Sequence, residues 1–304
     1  MNAENISINK DFEISLNKQG FGFQYAVIRE IQRLITEKFS EHENRGFPNW
    51  SIDCAEVPVE VQGYNTHIDF VLTRYKYNDF KTAGVIKLIA ECKRVDPALS
   101  NWCFLRAPFT KKYGINNSIR IEKISVENDE LKTSLCVIPT SEENFFEIPL
   151  IVKSNQKGDG NSAGDGRKAI DETITQVLRG QNGFINLLLN NRKYLENGEE
   201  LFILPVIFTT APLWISNVKL DSADLQTGKI SLTEELIRKD WIFYEYNQSP
   251  TLKHSVSVNS SENYFMNEGS LSGVVEKEYS RTIAIVSSTG IENFFQSITY
   301  RDFR

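Results

Sequence analysis

Between Gly20 and Phe39, Val27, Ile31, Leu34 and Ile35 fall on one stripe of a 3.6-residue repeat, which predicts an amphipathic helix. The stripe stops at EHENRGFPNW, where Gly46 and Pro48 break the pattern. A second helix is predicted from Ala169 to Asn190, with Ile170, Ile174, Val177, Leu178, Ile185 and Leu188 on its apolar side. Gly180 and Gly183 in that helix mark a kink or a close approach. Alternation predicts strands over Ser51–Gln62, with Pro58 at an edge or bulge, and over His67–Tyr75. The continuous apolar run Leu201–Thr209 reads as a strand covered on both faces. Trp241–Tyr246 is a further strand, Arg281–Ser287 a strand or a helix start, and Ile291–Ile298 a short closing helix.

The stretch Val85–Arg94, VIKLIAECKR, stands apart from these. As a strand it sends Glu91 and Lys93 to one face and Ile86, Leu88, Ala90 and Cys92 to the other. A buried strand seldom ends in an acid and an amine unless they pair or bind something. Upstream, Asp69 interrupts the apolar residues of HIDFVLTRY, and the linker Tyr77–Gly84 has the Asn, Asp and Gly of a hairpin loop. An antiparallel hairpin then sets Asp69 beside Glu91 and Lys93, two oxygen donors for a divalent metal with a positive group next to them. Glu30 sits at the edge of the first helix's apolar stripe. The plainer readings are an Asp69 pair with Arg74 or Lys76, a same-face Glu91–Lys93 ion pair, and a solvated Glu30.

Between Val95 and Gly166 the alternation is weaker and charged turns interrupt it, which reads as a β-rich insertion ending in the glycine-rich loop KGDGNSAGDGRK, 157–168. That loop lacks the oxygen ligand and the glutamate that a helix–loop–helix calcium site needs, and the Gly-Lys-Ser/Thr ending of a phosphate loop. Arg94, Trp102, Phe104, Arg106, Phe109, Lys111, Lys112 and Tyr113 form a basic and aromatic run, read either as a substrate groove or as the insertion's own small core. His67 shares the face of Asp69 and reads as an ordinary strand histidine.

Composition narrows the classes. A chain of 304 residues with a formal net charge of −6 is not held to nucleic acid by bulk charge, although a local basic groove can coexist with it. Cys54, Cys92, Cys103 and Cys136 show no zinc spacing and, unpaired, point to a reducing cytoplasm. The polar N-terminus has no signal-peptide core, and the longest apolar run is too short for a membrane span, so no membrane partner is expected.

The order helix, strand, strand, strand, helix, strand, with Asp69, then Glu91-Cys92-Lys93, and Glu30 on the preceding helix, resembles the PD-(D/E)xK nuclease superfamily. The resemblance covers roughly Gly20 to Thr209, and Ile68 stands where the family's proline would be. It implies an α/β, restriction-endonuclease-like fold: a mixed central sheet flanked by helices, with a β-rich insertion (about 95–166) and a C-terminal extension. The expected organisation is a lead-in over 1–19, a nuclease-like core over 20–215 and an extension over 216–304 packed on it. It further implies a magnesium-dependent endonuclease, with manganese as a substitute, acting on nucleic acid and on DNA first. Asp69, Glu91 and the Cys92 backbone carbonyl would be the metal ligands, Lys93 the group that orients water, and Glu30 an accessory acid. Some relatives carry an active-site glutamine on the second helix; here Gln181 falls on the apolar stripe and Gln176 off it, and neither is assigned a role. By analogy the setting is restriction or phage defence, as a homodimer or within a larger defence complex. The rival reading is a nucleic-acid-binding or assembly module of the same fold that cleaves nothing.

Overall fold

The structure, a computed structural model, describes residues 10–16, 20–39, 49–61, 63–75, 84–95, 100–106, 118–127, 130–139, 145–152, 163–190, 200–231, 235–247 and 280–299. It is an α/β protein built on a mixed sheet. Helix α1 (Phe21–Leu34) starts at Gly20, whose φ of 80° is open to glycine, and buries Gln24, Val27, Ile28, Ile31 and Leu34. A π-helical turn, Ile35–Phe39, prolongs it. Strands β1 (Asn49–Val61), β2 (Tyr64–Tyr75) and β3 (Gly84–Lys93) then form an antiparallel meander. The expected hairpin loop between β2 and β3 lies outside the described residues, apart from Gly84.

The segment read as an insertion supplies β4 (Asn101–Leu105), β5 (Ser118–Glu127), β6 (Glu130–Pro139), β7 (Phe145–Phe146) and β8 (Ile148–Val152). Helix α2 (Ala163–Asn190) begins earlier than its periodicity predicts: 163–168, read as part of a glycine-rich loop, are helical, and 157–162 lie outside the described residues. Strands β9 (Glu200–Thr209), β10 (Leu213–Ser216), β11 (Ile237–Lys239), β12 (Trp241–Asn247) and β13 (Ser280–Ser287) and helix α3 (Ile291–Thr299) complete the chain. Residues 281–287 are therefore strand.

The main sheet runs β1-β2-β3-β9-β13-β12-β7, with β5 paired to β9 and β6 to β5. Strand β9 lies parallel to β3 along its whole length. Its other edge is divided: β5 takes Glu200–Ile203 and β13 takes Val206–Thr209. With neighbours on both edges and cover on both faces, every residue of β9 after Glu200 is buried, as the unbroken apolar run predicts. The C-terminal segment is more than an extension on the core, since β12 and β13 are strands of the same sheet. Where β5 and β13 part, buried ion pairs fill the fork: Arg281 Nε to Glu122 at 2.6 Å and Arg120 Nη1 to Glu245 at 2.9 Å.

Helices cover both faces. Helices α1 and α3 pack on one, where Ile31, Leu34, Phe294 and Phe295 meet Phe70, Leu88 and Phe208. Helix α2 packs on the other, against β13 and β12 at its start and against β1, β2 and β3 near its end. Gly183 allows the closest approach: a Cβ there would lie 2.6 Å from Val59 Cβ. So these glycines serve close packing.

A second sheet, β11-β10-β4-β8, extends the first. Strands β3 and β9 leave the main sheet side by side and continue as the parallel pair β4 and β10. Thr210 clasps the crossing point; its N–H donates to the Lys93 carbonyl at 3.3 Å, and its hydroxyl bonds the Val95 backbone. Trp102 and Phe104, read either as groove residues or as part of a core of the insertion, are fully buried, because alternate positions of β4 face the core over α2. Arg94 and Arg106 are exposed, Arg106 lying over the Phe146 ring; Phe109, Lys111, Lys112 and Tyr113 fall outside the described residues. Among the described residues, no helix is long and apolar enough to cross a membrane. All four cysteines are free thiols.

Candidate active site

Asp69, Glu91 and Lys93 come together where β2 and β3 separate. The β2–β3 ladder runs from Arg74–Ile86 to Phe70–Ala90 and stops there. At the next step the Cys92 N–H donates to Asp69 Oδ2 at 2.6 Å, so a carboxylate replaces the backbone acceptor of a regular ladder. In a strand the N–H and C=O of one residue point to the same side. The Cys92 carbonyl therefore opens on the same gap, while the Lys93 carbonyl points to β9 and is taken by Thr210.

Two irregularities shape this gap. Ile68 and Val71 both join the core under α2, whereas Phe70 and Leu72 join the opposite one, which strict alternation forbids. Strand β2 is thus kinked across Asp69–Phe70. Opposite Asp69, Glu56 of β1 holds a left-handed φ of 52°, and the β1–β2 register slips between Ile52 and Cys54. A non-glycine residue there costs about 1–2 kcal/mol, so its surroundings must hold it. Gln24 of α1 does so: its Nε2 donates to Glu56 Oε1 at 2.6 Å and to the Asp69 carbonyl at 3.0 Å. Neither Gln24 nor Glu56 is assigned a role by the sequence reading.

Glu91 is 5% exposed, and shares its strand face with Val85 and Ile89, which pack under α2. Burial pushes its carboxyl up to about 9; the nearby Asp69 adds to the rise, Lys93 partly offsets it, and Glu56 contributes again. Asp69 is pushed up to about 6 by burial, against the pull of the Cys92 N–H, with Glu56 raising it further. Burial holds the Cys92 thiol well above its usual value; its side chain packs on the α1 face, so only its backbone serves the gap.

Glu30 is not brought to this cluster. Its carboxylate accepts Arg33 Nε at 2.9 Å and Nη2 at 2.6 Å on the outer face of α1, which holds it below the usual carboxylate range. The α1 residue that reaches the acids is Gln24. Arg74 is also spoken for, donating Nη1 to the Ile298 carbonyl at 2.5 Å, so the Asp69–Arg74 pair does not form. On α2, Gln176 is exposed, while Gln181 is 2% exposed and its Oε1 has no hydrogen-bond partner among the described residues.

Chemically, the site is a pair of hard carboxylate oxygens in a low dielectric, with a carbonyl and an amine beside them. A buried acid and a half-buried one this close cannot both ionise near neutral pH without a cation or a shared proton. Among the described residues, no three His, Cys, Asp or Glu side chains converge as a metal cage. Glu56 acts on the pair through space. Two carboxylates suit a hard ion that keeps several of its waters. Comparison with known proteins finds no matching family model, no similar curated protein and no similar solved structure.

Proposed function

We propose that this chain is a metal-dependent endonuclease of the restriction-endonuclease-like type, hydrolysing phosphodiester bonds with DNA as the favoured substrate. The observation that carries the reading is the Asp69–Glu91 pair, Glu91 buried and Asp69 half-buried, mutually repelling and set at a strand divergence with Lys93 alongside. The element order supports it too: helix, three-strand meander, helix, then a strand parallel to the third. Free thiols at Cys54, Cys92, Cys103 and Cys136 fit a reducing, cytoplasmic setting.

Magnesium, or manganese in its place, would be held by Asp69, Glu91 and the Cys92 carbonyl, and when bound supplies charge relief on the phosphate oxygens and a more acidic water. The chain's own residues do the rest. Lys93 Nζ places a positive charge and hydrogen-bond donors where the attacking water and a phosphate oxygen meet. The Cys92 N–H fixes one oxygen of Asp69, so that the other is presented to the gap. Gln24 and Glu56 hold the kink of β2 that aims Asp69.

Nicking of supercoiled plasmid by the purified chain tests this, with magnesium, manganese, calcium or chelator, beside Asp69→Ala and Lys93→Ala. Cleavage that needs magnesium or manganese is expected, with losses of roughly 100-fold or more in both variants. Full cleavage in chelator, or by Asp69→Ala, would refute the site. No cleavage of plasmid, single-stranded DNA or RNA would favour the non-cleaving module.

A further inference from the structure

Lys93 is the last residue of β3, in register with Thr209 of β9. Its side chain is half-buried, on the strand face of Glu91. Among the described residues its ammonium has neither a hydrogen bond nor an ion pair, although it feels the field of Glu91. No acid therefore ties it down, and its place depends on the backbone that carries it. A strand end with no further pairing frays. A group that orients an attacking water must instead be held closely, since a misplacement of about 1 Å costs roughly 100-fold in rate.

Thr210 supplies what the strand end lacks. The β3–β9 ladder stops at Thr209, whose carbonyl is taken by the Ser288 N–H at 2.8 Å. One residue on, the Thr210 N–H donates to the Lys93 carbonyl at 3.3 Å. Its hydroxyl accepts the Val95 N–H at 2.8 Å and donates to the Val95 carbonyl at 2.5 Å. In an extended chain the N–H and C=O of one residue point to the same side. A single hydroxyl, at once donor and acceptor, can thus stand in for the backbone partner that β9 no longer offers. Val95 is itself anchored, packing against the core under the start of α2. Lys93 is therefore bracketed, by the ladder before it and by the Thr210 clasp after it. Valine has the shape of threonine but makes neither hydroxyl bond, whereas serine makes both.

We infer that Thr210 is a positioning residue, whose clasp holds Lys93 so that its ammonium meets the attacking water. The water's part rests on the nuclease reading; the placement of Lys93 does not. Steady-state nicking by the full chain tests the first. Thr210→Val should lower kcat roughly 30-fold while KM stays within about twofold, and Thr210→Ser should recover most of the loss. The Lys93→Ala/Thr210→Val double variant should be no slower than Lys93→Ala, because groups acting as a unit are not additive. A merely structural weakening would slow both backgrounds alike. Thr210→Ala, which also removes the hydroxyl, replaces the valine variant if that chain does not fold. Full kcat without the hydroxyl, a further loss in the Lys93→Ala background, or a changed metal requirement overturns the inference. NMR of the full chain with isotopically methylated lysines tests the placement without any cleavage. The Lys93 signal, identified by its loss in Lys93→Arg, should stand apart from that of exposed Lys219 in wild type and Thr210→Ser, and fall beside it in Thr210→Val. A Lys93 signal that ignores Thr210→Val, or lies with Lys219 from the start, overturns the clasp even where plasmid is nicked. A chain that nicks nothing would sink the nuclease reading, and the Lys93 signal alone would then decide the clasp.

Discussion

Replacing Glu91 by glutamine should make the protein more stable while destroying its proposed activity. Glutamine keeps the size and hydrogen-bonding shape of the side chain but carries no charge. Burial and Asp69 raise the Glu91 carboxyl from 4.5 to about 9, so between those values the folded chain holds a proton that the unfolded chain has released. Stability contributed by this group is thus fully present below pH 4.5 and is lost as pH rises toward 9. At 1.36 kcal/mol per unit, the interval up to pH 7.5 sets a ceiling of about 4 kcal/mol. Water reaching the pair takes back part of that, leaving about 2 kcal/mol. For a chain of this length, that corresponds to a Tm about 3 °C higher for Glu91→Gln at pH 7.5 in chelator. The gap should close by pH 5. Magnesium should raise the Tm of the wild type and not of the variant, because a ligand bound only by the folded state stabilises it. Thermal denaturation at pH 5, 6.5 and 7.5, with magnesium and with chelator, reads all of this. A variant less stable than wild type at pH 7.5 in chelator, or a gap that ignores pH, would refute the reasoning.

Three further outcomes follow from the packing. Glu30→Gln should leave nicking within about twofold of wild type, since its carboxylate serves Arg33; a loss comparable with that of Lys93→Ala would return Glu30 to the site. Gly183→Ala should cost about 1–3 kcal/mol in urea unfolding, because its methyl meets Val59, and a neutral result would show that α2 can slide. Arg281→Met should cost about 3–5 kcal/mol by stranding the buried Glu122, and adding Glu122→Leu should recover most of it. If the double variant is no better than the single, the fork depends on more than that pair.

Much of the fold is legible where one residue's neighbours lie on its own strand or helix. The stripe of α1, the closed run of β9 and the alternation of β1 to β3 all predict their elements within a few residues. Asp69, Glu91 and Lys93 are legible because hairpin register follows from chain order. What escapes needs long-range partners. Trp102 and Phe104 look exposed in the sequence because the partners of β4 are distant in the chain: β8 follows after other strands, and β10 comes about a hundred residues later. Glu56 joins the site only through a register slip that alternation does not encode. Gln24 did leave a signal: it lies three and four residues before Val27 and Ile28, a polar side chain on the buried stripe. Glu30 misleads for the opposite reason, since its place at the stripe's edge fits a site acid and a surface ion pair equally well.

The divided edge of β9 bears on how the molecule is made. No strand next to β9 is its neighbour in the chain: Glu91 pairs Ile207, Ile124 pairs Leu201 and Ala284 pairs Val206. During synthesis the β1–β3 meander emerges first and can pair by itself, with Asp69 and Glu91 already close. It has no partner for the far edge of β3 until β9 leaves the ribosome, and β9 in turn stays half-edged until β13 arrives. High contact order of this kind makes folding slow and exposes open strand edges meanwhile. The proposed cutting centre would thus become rigid only after nearly the whole chain exists. Pulse-labelled hydrogen exchange during refolding should show β1 and β2 protected before β9 and β13, which should gain protection together.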